Sequence, residues 1–268
     1  MPSLSETPST APSTGSPSRV RFAACYAARH LGLSMLVALL SAALVFGLLY
    51  PAPYRAMLGV ESIFLLVLAV DVVCGPLLTL VLASPSKSQR ERWLDFSLIG
   101  LIQLLALAYG LHSVWVGRPA VLGFEVERLA VVTANEIEAD RLAEAPAGLR
   151  RLPWWGVQRV GTRQPKDSAD MLRSVELGLS GVSLVMQPGW WLPWQDALPA
   201  MQARAKPLAE LMARRPEAAD ALRRAARDSG LPPEQLRYLP LTSHKTLDWV
   251  ALLDAQMNLV GWAPVDGF

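Results

Sequence analysis

Three stretches of this chain, at about residues 31–49, 58–83 and 96–116, are apolar, nearly free of charge and long enough to cross a bilayer. A membrane-crossing helix needs about 20 such residues, because each adds ~1.5 Å against a hydrocarbon core about 30 Å thick. Only helices and closed barrels satisfy every backbone group in hydrocarbon, so runs of this kind predict helices. Hydrophobic residues make up 52% of the 268-residue chain and are concentrated in its first 120 or so positions. A single soluble core would spread them evenly. The expected fold class is therefore a membrane protein: three N-terminal transmembrane α-helices followed by an α+β extracytoplasmic domain.

The expected organisation has three parts. Residues 1–18 are almost entirely Ser, Thr and Pro and predict a disordered tail, since nothing there can bury surface. Residues 19–117 form the transmembrane region. Residues 118–268 form the outer domain, large enough for a core of its own. A cleaved signal peptide competes for the first run, but its apolar region would be shorter, about 7–15 residues. The run here continues into Tyr50-Pro51-Ala52-Pro53-Tyr54.

Orientation follows from Lys and Arg in the short flanks. Arg19, Arg21 and Arg29 precede the first span, the first linker has Arg55, and the second has Lys87, Arg90 and Arg92. The N-terminus and second linker are expected in the cytoplasm, and three crossings put the C-terminal domain outside it, in a multi-pass topology. The two cysteines are Cys25 and Cys74, so the outer domain has none to form a disulfide. A net charge of +2, without a basic stripe interleaved with aromatics, gives no case for a nucleic-acid partner, and none is expected.

Beyond Arg118-Pro119 the pattern changes. Val121–Thr133 is partly alternating and β-branched and predicts a strand. Asn135–Ala145 suits a short helix, Val157–Val160 a strand and Ser168–Glu176 a helix. Leu208–Ala226 is a helix broken near Pro216. Trp249–Leu253 and Leu259–Trp262 flank Asp254–Asn258 as a hairpin.

Asp71 is the most informative residue, because an ionisable side chain near mid-bilayer costs on the order of several kcal/mol or is neutralised. At helical spacing Phe64, Leu68, Asp71, Gly75 and Leu78 share a face, and Gly75 permits close helix approach while Pro76 removes a hydrogen bond and kinks the span. That face suits either docking of another helix or an internal hydrogen bond from Asp71 to Gln103 or Tyr109. Glu61 is expected to snorkel to headgroup water, and Tyr50, Tyr54 and Trp115 to form an aromatic belt. Trp154-Trp155 and Trp190-Trp191 with Trp194 read as core plugs or as a peptide-binding surface. The outer domain has one histidine, His244, and none of the common nucleophile, metal or phosphate motifs. No catalytic, cofactor or metal residue is assigned, and the chain reads as a non-enzyme.

The membrane segment resembles the TfpX/TfpZ family of type IV pilin accessory proteins. The resemblance is carried by Tyr50-Pro51-x-Pro53-Tyr54, then by Val70-Asp71-Val72-Val73-x-Gly75-Pro76-Leu77-Leu78-Thr79-Leu80. It continues through Gln103-Leu104 with Tyr109-Gly110, and through Arg118-Pro119 with Phe124 and Arg128. It departs at Met57-Leu58-Gly59-Val60, where the family tends to carry a glycine pair. The resemblance implies an inner-membrane accessory that helps a cognate type IV pilin accumulate or assemble. Its partners would be the pilin subunit and the lipid bilayer, and it implies no cofactor and no particular oligomeric state. A membrane-bound enzyme modifying pilin or envelope glycans, or a scaffold without a pilin role, are the alternatives.

The charge pattern makes a direct prediction. A reporter fused after Lys87 should behave as cytoplasmic and one fused after Thr133 as periplasmic; the opposite pattern would overturn the topology.

Overall fold

The computed structural model describes residues 16–268, except the side chains of residues 16–18 and 63. Up to residue 15, the tail expected over 1–18 lies outside the described residues. The rest divides into two compact units. One holds the chain up to Ser41 with Phe64–Leu111; the other holds Ala42–Ile63 with His112–Phe268.

Three helical segments are long and apolar enough to cross a membrane: Arg19–Leu49, Val60–Leu82 and Gln89–Val116. The first is α1 (Ser16–Leu44) prolonged by a π turn at Val45–Leu49. Its helix starts well before the expected boundary at residue 31, because a helix satisfies its own backbone in water as in lipid and the arginine-bearing flank does not end it. After the short α2 (Tyr54–Leu58), the second span is α3 (Val60–Ala69), a π turn at Val70–Cys74 and α4 (Gly75–Leu82). The third is α5 (Gln89–Val116).

The larger unit is built on one mixed sheet, so the chain is α+β beyond the spans. Its strands are β1 (Pro119–Glu125), β2 (Arg128–Thr133), β3 (Gln158–Thr162), β4 (Trp191–Pro193), β5 (Lys206–Pro207), β6 (Arg237–Thr242), β7 (Trp249–Leu253) and β8 (Leu259–Ala263). The order is β4-β3-β1-β2-β6-β7-β8, with β5 also beside β6. β3 runs parallel to β1 and β6 parallel to β2; the other pairs are antiparallel. One core packs α8 (Leu208–Arg214) and α9 (Ala219–Ser229) through Leu208, Leu211, Leu222 and Ala226 onto Tyr238, Val250 and Leu252. A second gathers Val121, Ala130, Val132 and Val160 under Ile137, Val185 and Trp191.

Several expectations change. The strand expected over Val121–Thr133 is two strands folded back on each other, turning at Val126-Glu127. Val126 takes φ +56, a left-handed conformation that β-branched residues rarely adopt, so no turn residue marks the hairpin. The helix expected over Asn135–Ala145 is two 3₁₀ pieces, Ala134–Glu136 and Ala139–Glu144. Between them Ile137 is extended and buried, and drawing its side chain into the core breaks the helix. The hairpin of β7 and β8 stands as expected, as do β3, the break at Pro216 and a helix at Ser168–Leu179 (α6). A further helix, α7 (Trp194–Arg204), carries Pro199 inside it.

The close packing of α7 on β3 depends on Gly161, where a Cβ would stand 2.4 Å from that of Ala197. Gly161→Val should destabilise the fold by about 1–3 kcal/mol, read as a lower thermal midpoint of the purified full-length protein. An unchanged midpoint would contradict this packing.

Candidate functional site

The polar centre of the membrane unit is organised by Pro76. A π turn occupies Val70–Cys74, and in π geometry the carbonyl of a residue faces the N–H five positions on. Five positions on from Asp71 is Pro76, which has no N–H to give. The side chain of Gln103 on α5 supplies the donor instead: its Nε2 donates to the Asp71 carbonyl at 2.8 Å. Its Oε1 lies 2.7 Å from Nε2 of His30 on α1. An amide oxygen only accepts, so His30 Nε2 carries the proton. His30 Nδ1 in turn lies 2.6 Å from Thr79 Oγ1 on α4. One hydrogen-bonded chain therefore joins all three spans.

Gly75 makes the chain possible. A Cβ there would stand 2.2 Å from Gln103 Nε2, so only glycine lets the amide reach past. The π turn also moves the expected face. Phe64, Asp71, Gly75 and Thr79 are buried while Leu78 is exposed, because one extra residue per turn rotates everything beyond it.

The expected tie from Asp71 to Gln103 exists, but to the main chain of Asp71. Asp71 lines a cavity of 160 Å³ between α1 and α5 together with the polar residues His30, Ser34 and Gln103 and the apolar Leu33 and Leu104. Asp71 is 9% exposed, and its Oδ1 is buried with no hydrogen-bond partner among the described residues. Tyr109 is 76% exposed. His30 and Thr79 complete the network without having been singled out from sequence. Their signal was available: His30 precedes the first apolar run, and Thr79 stands eight positions after Asp71.

The remaining sequence candidates lie in the larger unit. Tyr50 donates its hydroxyl to the Val114 carbonyl at 2.9 Å, and burial pushes its phenol up to about 12, so it stays a donor at any physiological pH. Burial likewise raises the Tyr54 phenol. Pro53 is buried and Pro51 half-buried in the turn between them. Arg118 is 4% exposed. Its guanidinium donates to the carbonyls of Trp115 and Pro153 at 2.9 and 2.8 Å and lies 4.3 Å from the Trp115 ring centre. Burial lowers its pKa, opposed by Tyr50. Arg128 meets Glu125 at 3.3 Å across the β1–β2 turn, and Glu125 accepts from Ser183 Oγ and Leu184 N. Glu61, expected to snorkel, is exposed with Arg55 3.9 Å away.

His244 Nδ1 lies 3.2 Å from Glu136. The neighbouring Ser243 directs its hydroxyl to the Met57 carbonyl and accepts from the amides of Lys245 and Thr246, a turn-closing role. Among the described residues no three His, Cys, Asp or Glu side chains gather to hold a metal ion.

Comparison with known proteins gives a consistent set of relatives. A family model described as fimbrial assembly protein FimB matches residues 18–59, the first span and the Tyr50–Tyr54 turn. The chain is 34% identical over 251 residues to a fimbrial assembly protein, serogroup I, of Dichelobacter nodosus, covering 93% of this chain and 98% of that one. It is 32% identical over 251 residues to the serogroup E1 protein of the same organism, with the same coverage. It is 40% identical over 127 residues to the serogroups C1 and C2 protein, 47% of this chain and 97% of that one. No solved structure matches.

The network carries its own test. Interhelical hydrogen bonds in membranes contribute roughly 0.6–2 kcal/mol each. Gln103→Leu removes two of them and should lower the protein's abundance and its thermal midpoint in detergent. Gly75→Leu should do so more strongly, because it excludes the amide. Wild-type abundance and midpoint in both variants would show that the chain His30–Gln103–Asp71 does not hold the spans.

Proposed function

We propose, from the premise that the chain belongs to the fimbrial assembly protein FimB family, that it acts in fimbrial assembly as a non-enzymatic membrane accessory. The observation that carries this reading is identity of 34% running through 98% of a relative named for that role. The finer reading is that it serves a type IV pilin, in a bacterial inner membrane with its larger unit in the periplasm. The charge distribution Arg19, Arg21 and Arg29, then Lys87, Arg90 and Arg92, supports that orientation.

Within this reading the pilin's membrane helix meets Asp71. The support is physical: a carboxylate near the middle of the Val60–Leu82 span, with an unpartnered oxygen, gains from a partner that donates to it. The Gly75 side of the second span is filled by Gln103, so contact is through the cavity between α1 and α5. The larger unit would engage the pilin head.

Asp71→Asn keeps size and removes charge. The variant should accumulate normally but lose co-purification of the fimbrial subunit and surface fimbriae. Normal co-purification by a stable Asp71→Leu variant would remove Asp71 from the mechanism. His244→Ala should leave fimbriation intact; its loss at normal protein level would favour an enzyme.

A further inference from the structure

Between β2 and β3 the chain runs through a loop whose side chains divide into two sets. Leu149 and Leu152 pack against the core of Val121, Ala130 and Val160. Arg151, Trp154 and Trp155 are exposed, as is Arg150, whose Nε donates to the Ala145 carbonyl at 3.0 Å and leaves its terminal nitrogens outward. The two tryptophans are 71% and 68% exposed, so they are not the core plugs that their aromatic character suggests. Gly148 and Gly156 bracket the segment, each in the left-handed region at φ +89 and +78, which sharpens the turn at both ends.

Two contacts fix where this loop lies, and both belong to the larger unit. Arg118 donates from Nη2 to the Pro153 carbonyl at 2.8 Å, and the Trp154 ring centre is 5.8 Å from that of Trp115. Trp115 is the penultimate residue of α5, whose span ends at Val116. The exposed pair therefore sits beside the point where the chain leaves hydrocarbon. An indole has an apolar body and one N–H donor, and it favours the headgroup layer, where both are satisfied. Guanidinium groups at the same level meet lipid phosphates.

We propose that Leu149–Gly156 is a membrane-interface anchor: Trp154 and Trp155 seat in the headgroup layer of the leaflet from which α5 emerges, and Arg150 and Arg151 pair with lipid phosphates. The occupant is the bilayer because the patch is continuous with the end of a span. The apolar face of α6, with Met171, Leu172, Val175 and Leu179 exposed, supplies the contrast. β1 starts beside the span at Pro119 and β3 runs parallel to it; α6 follows the far end of β3, held there by Arg163 on Asp170. That places α6 roughly 20 Å further along the strand direction, at ~3.3 Å per residue. In this proposal the loop meets the membrane at the end of the sheet where β1 starts, while α6 follows the opposite end of β3.

The test uses full-length protein carrying Cys25→Ala and Cys74→Ala in nanodiscs of phosphatidylcholine and phosphatidylglycerol. A nitroxide is attached at Trp155→Cys or, as reference, at Leu179→Cys. Accessibility to an aqueous nickel relaxant should be several-fold lower at position 155 than at 179, and accessibility to oxygen higher. Equal nickel accessibility would overturn the proposal. Dipolar broadening between labels at 155 would also overturn it, by assigning the patch to contact between two copies. Arg150→Glu with Arg151→Glu should raise nickel accessibility at 155 several-fold; no change would remove the phosphate contacts. A circular dichroism spectrum matching the parent confirms that each variant is folded.

Discussion

The membrane unit depends on one missing hydrogen. Pro76 has no N–H, and in hydrocarbon water cannot take its place, so the Asp71 carbonyl must find its donor within the protein. Gln103 provides it, and the rest follows from that placement. Gly75 must lack a side chain for the amide to pass. The amide oxygen then needs a donor, which His30 supplies, and the second ring nitrogen of His30 needs Thr79. Satisfying one backbone carbonyl thereby sets which faces of three spans meet. A buried polar chain of this kind selects register better than apolar packing does, because a shift by one residue would strand several groups at once.

The larger unit solves a related problem where the chain leaves the bilayer. Tyr50, at the end of the first span, donates to the Val114 carbonyl near the end of the third. Arg118, the second residue beyond the third span, is buried yet held by two carbonyls and an aromatic face in place of a carboxylate. A cation over an indole contributes about 0.5–2 kcal/mol, more where it is desolvated. That partly offsets the burial, and the two carbonyls receive charge-assisted bonds. Within this unit, the residues that close two of the spans, the start of β1 and the loop before β3 are bonded to one another.

The sequence makes some of this legible and hides the rest for identifiable reasons. Runs of apolar residues announce helices because hydrocarbon leaves no alternative, and the three spans follow. Asp71 and Gln103 attract attention individually as polar groups within spans, Gly75 as a point of close approach and Pro76 as a missing donor. Their joint role does not appear from a straight helix wheel, because the π turn rotates the later residues and replaces Leu78 with Thr79 on the buried face. His30 escapes notice because it stands just outside the apolar run, yet its ring reaches inward. In the sheet, the β1–β2 turn has no glycine or asparagine and uses Val126 in a conformation that valine seldom takes. β6 contains Pro240, which argues against a strand. Pro240 falls in the gap between the pairing of β6 with β5, at Arg237 and Tyr238, and with β2, at Leu241 and Thr242. That gap tolerates a residue without an N–H. Trp154 and Trp155 look like core residues by type; what turns them outward is Leu149 and Leu152 taking the core positions.

The geometry around Asp71 limits how any partner reaches it. The cavity lies between α1 and α5, and two of the residues that line it, Leu33 and Leu104, are 62% and 63% exposed. Within spans long and apolar enough to cross a membrane, such exposed leucines suit acyl chains, so a partner of the proposed kind would approach laterally. This changes the energetics. A charge pair assembled from water loses the hydration of both members, and that loss often exceeds the attraction. A group already carried into hydrocarbon by its own membrane helix has lost most of its hydration before the encounter, and Asp71 lost its own on insertion. Pairing then recovers energy that insertion had left unmatched.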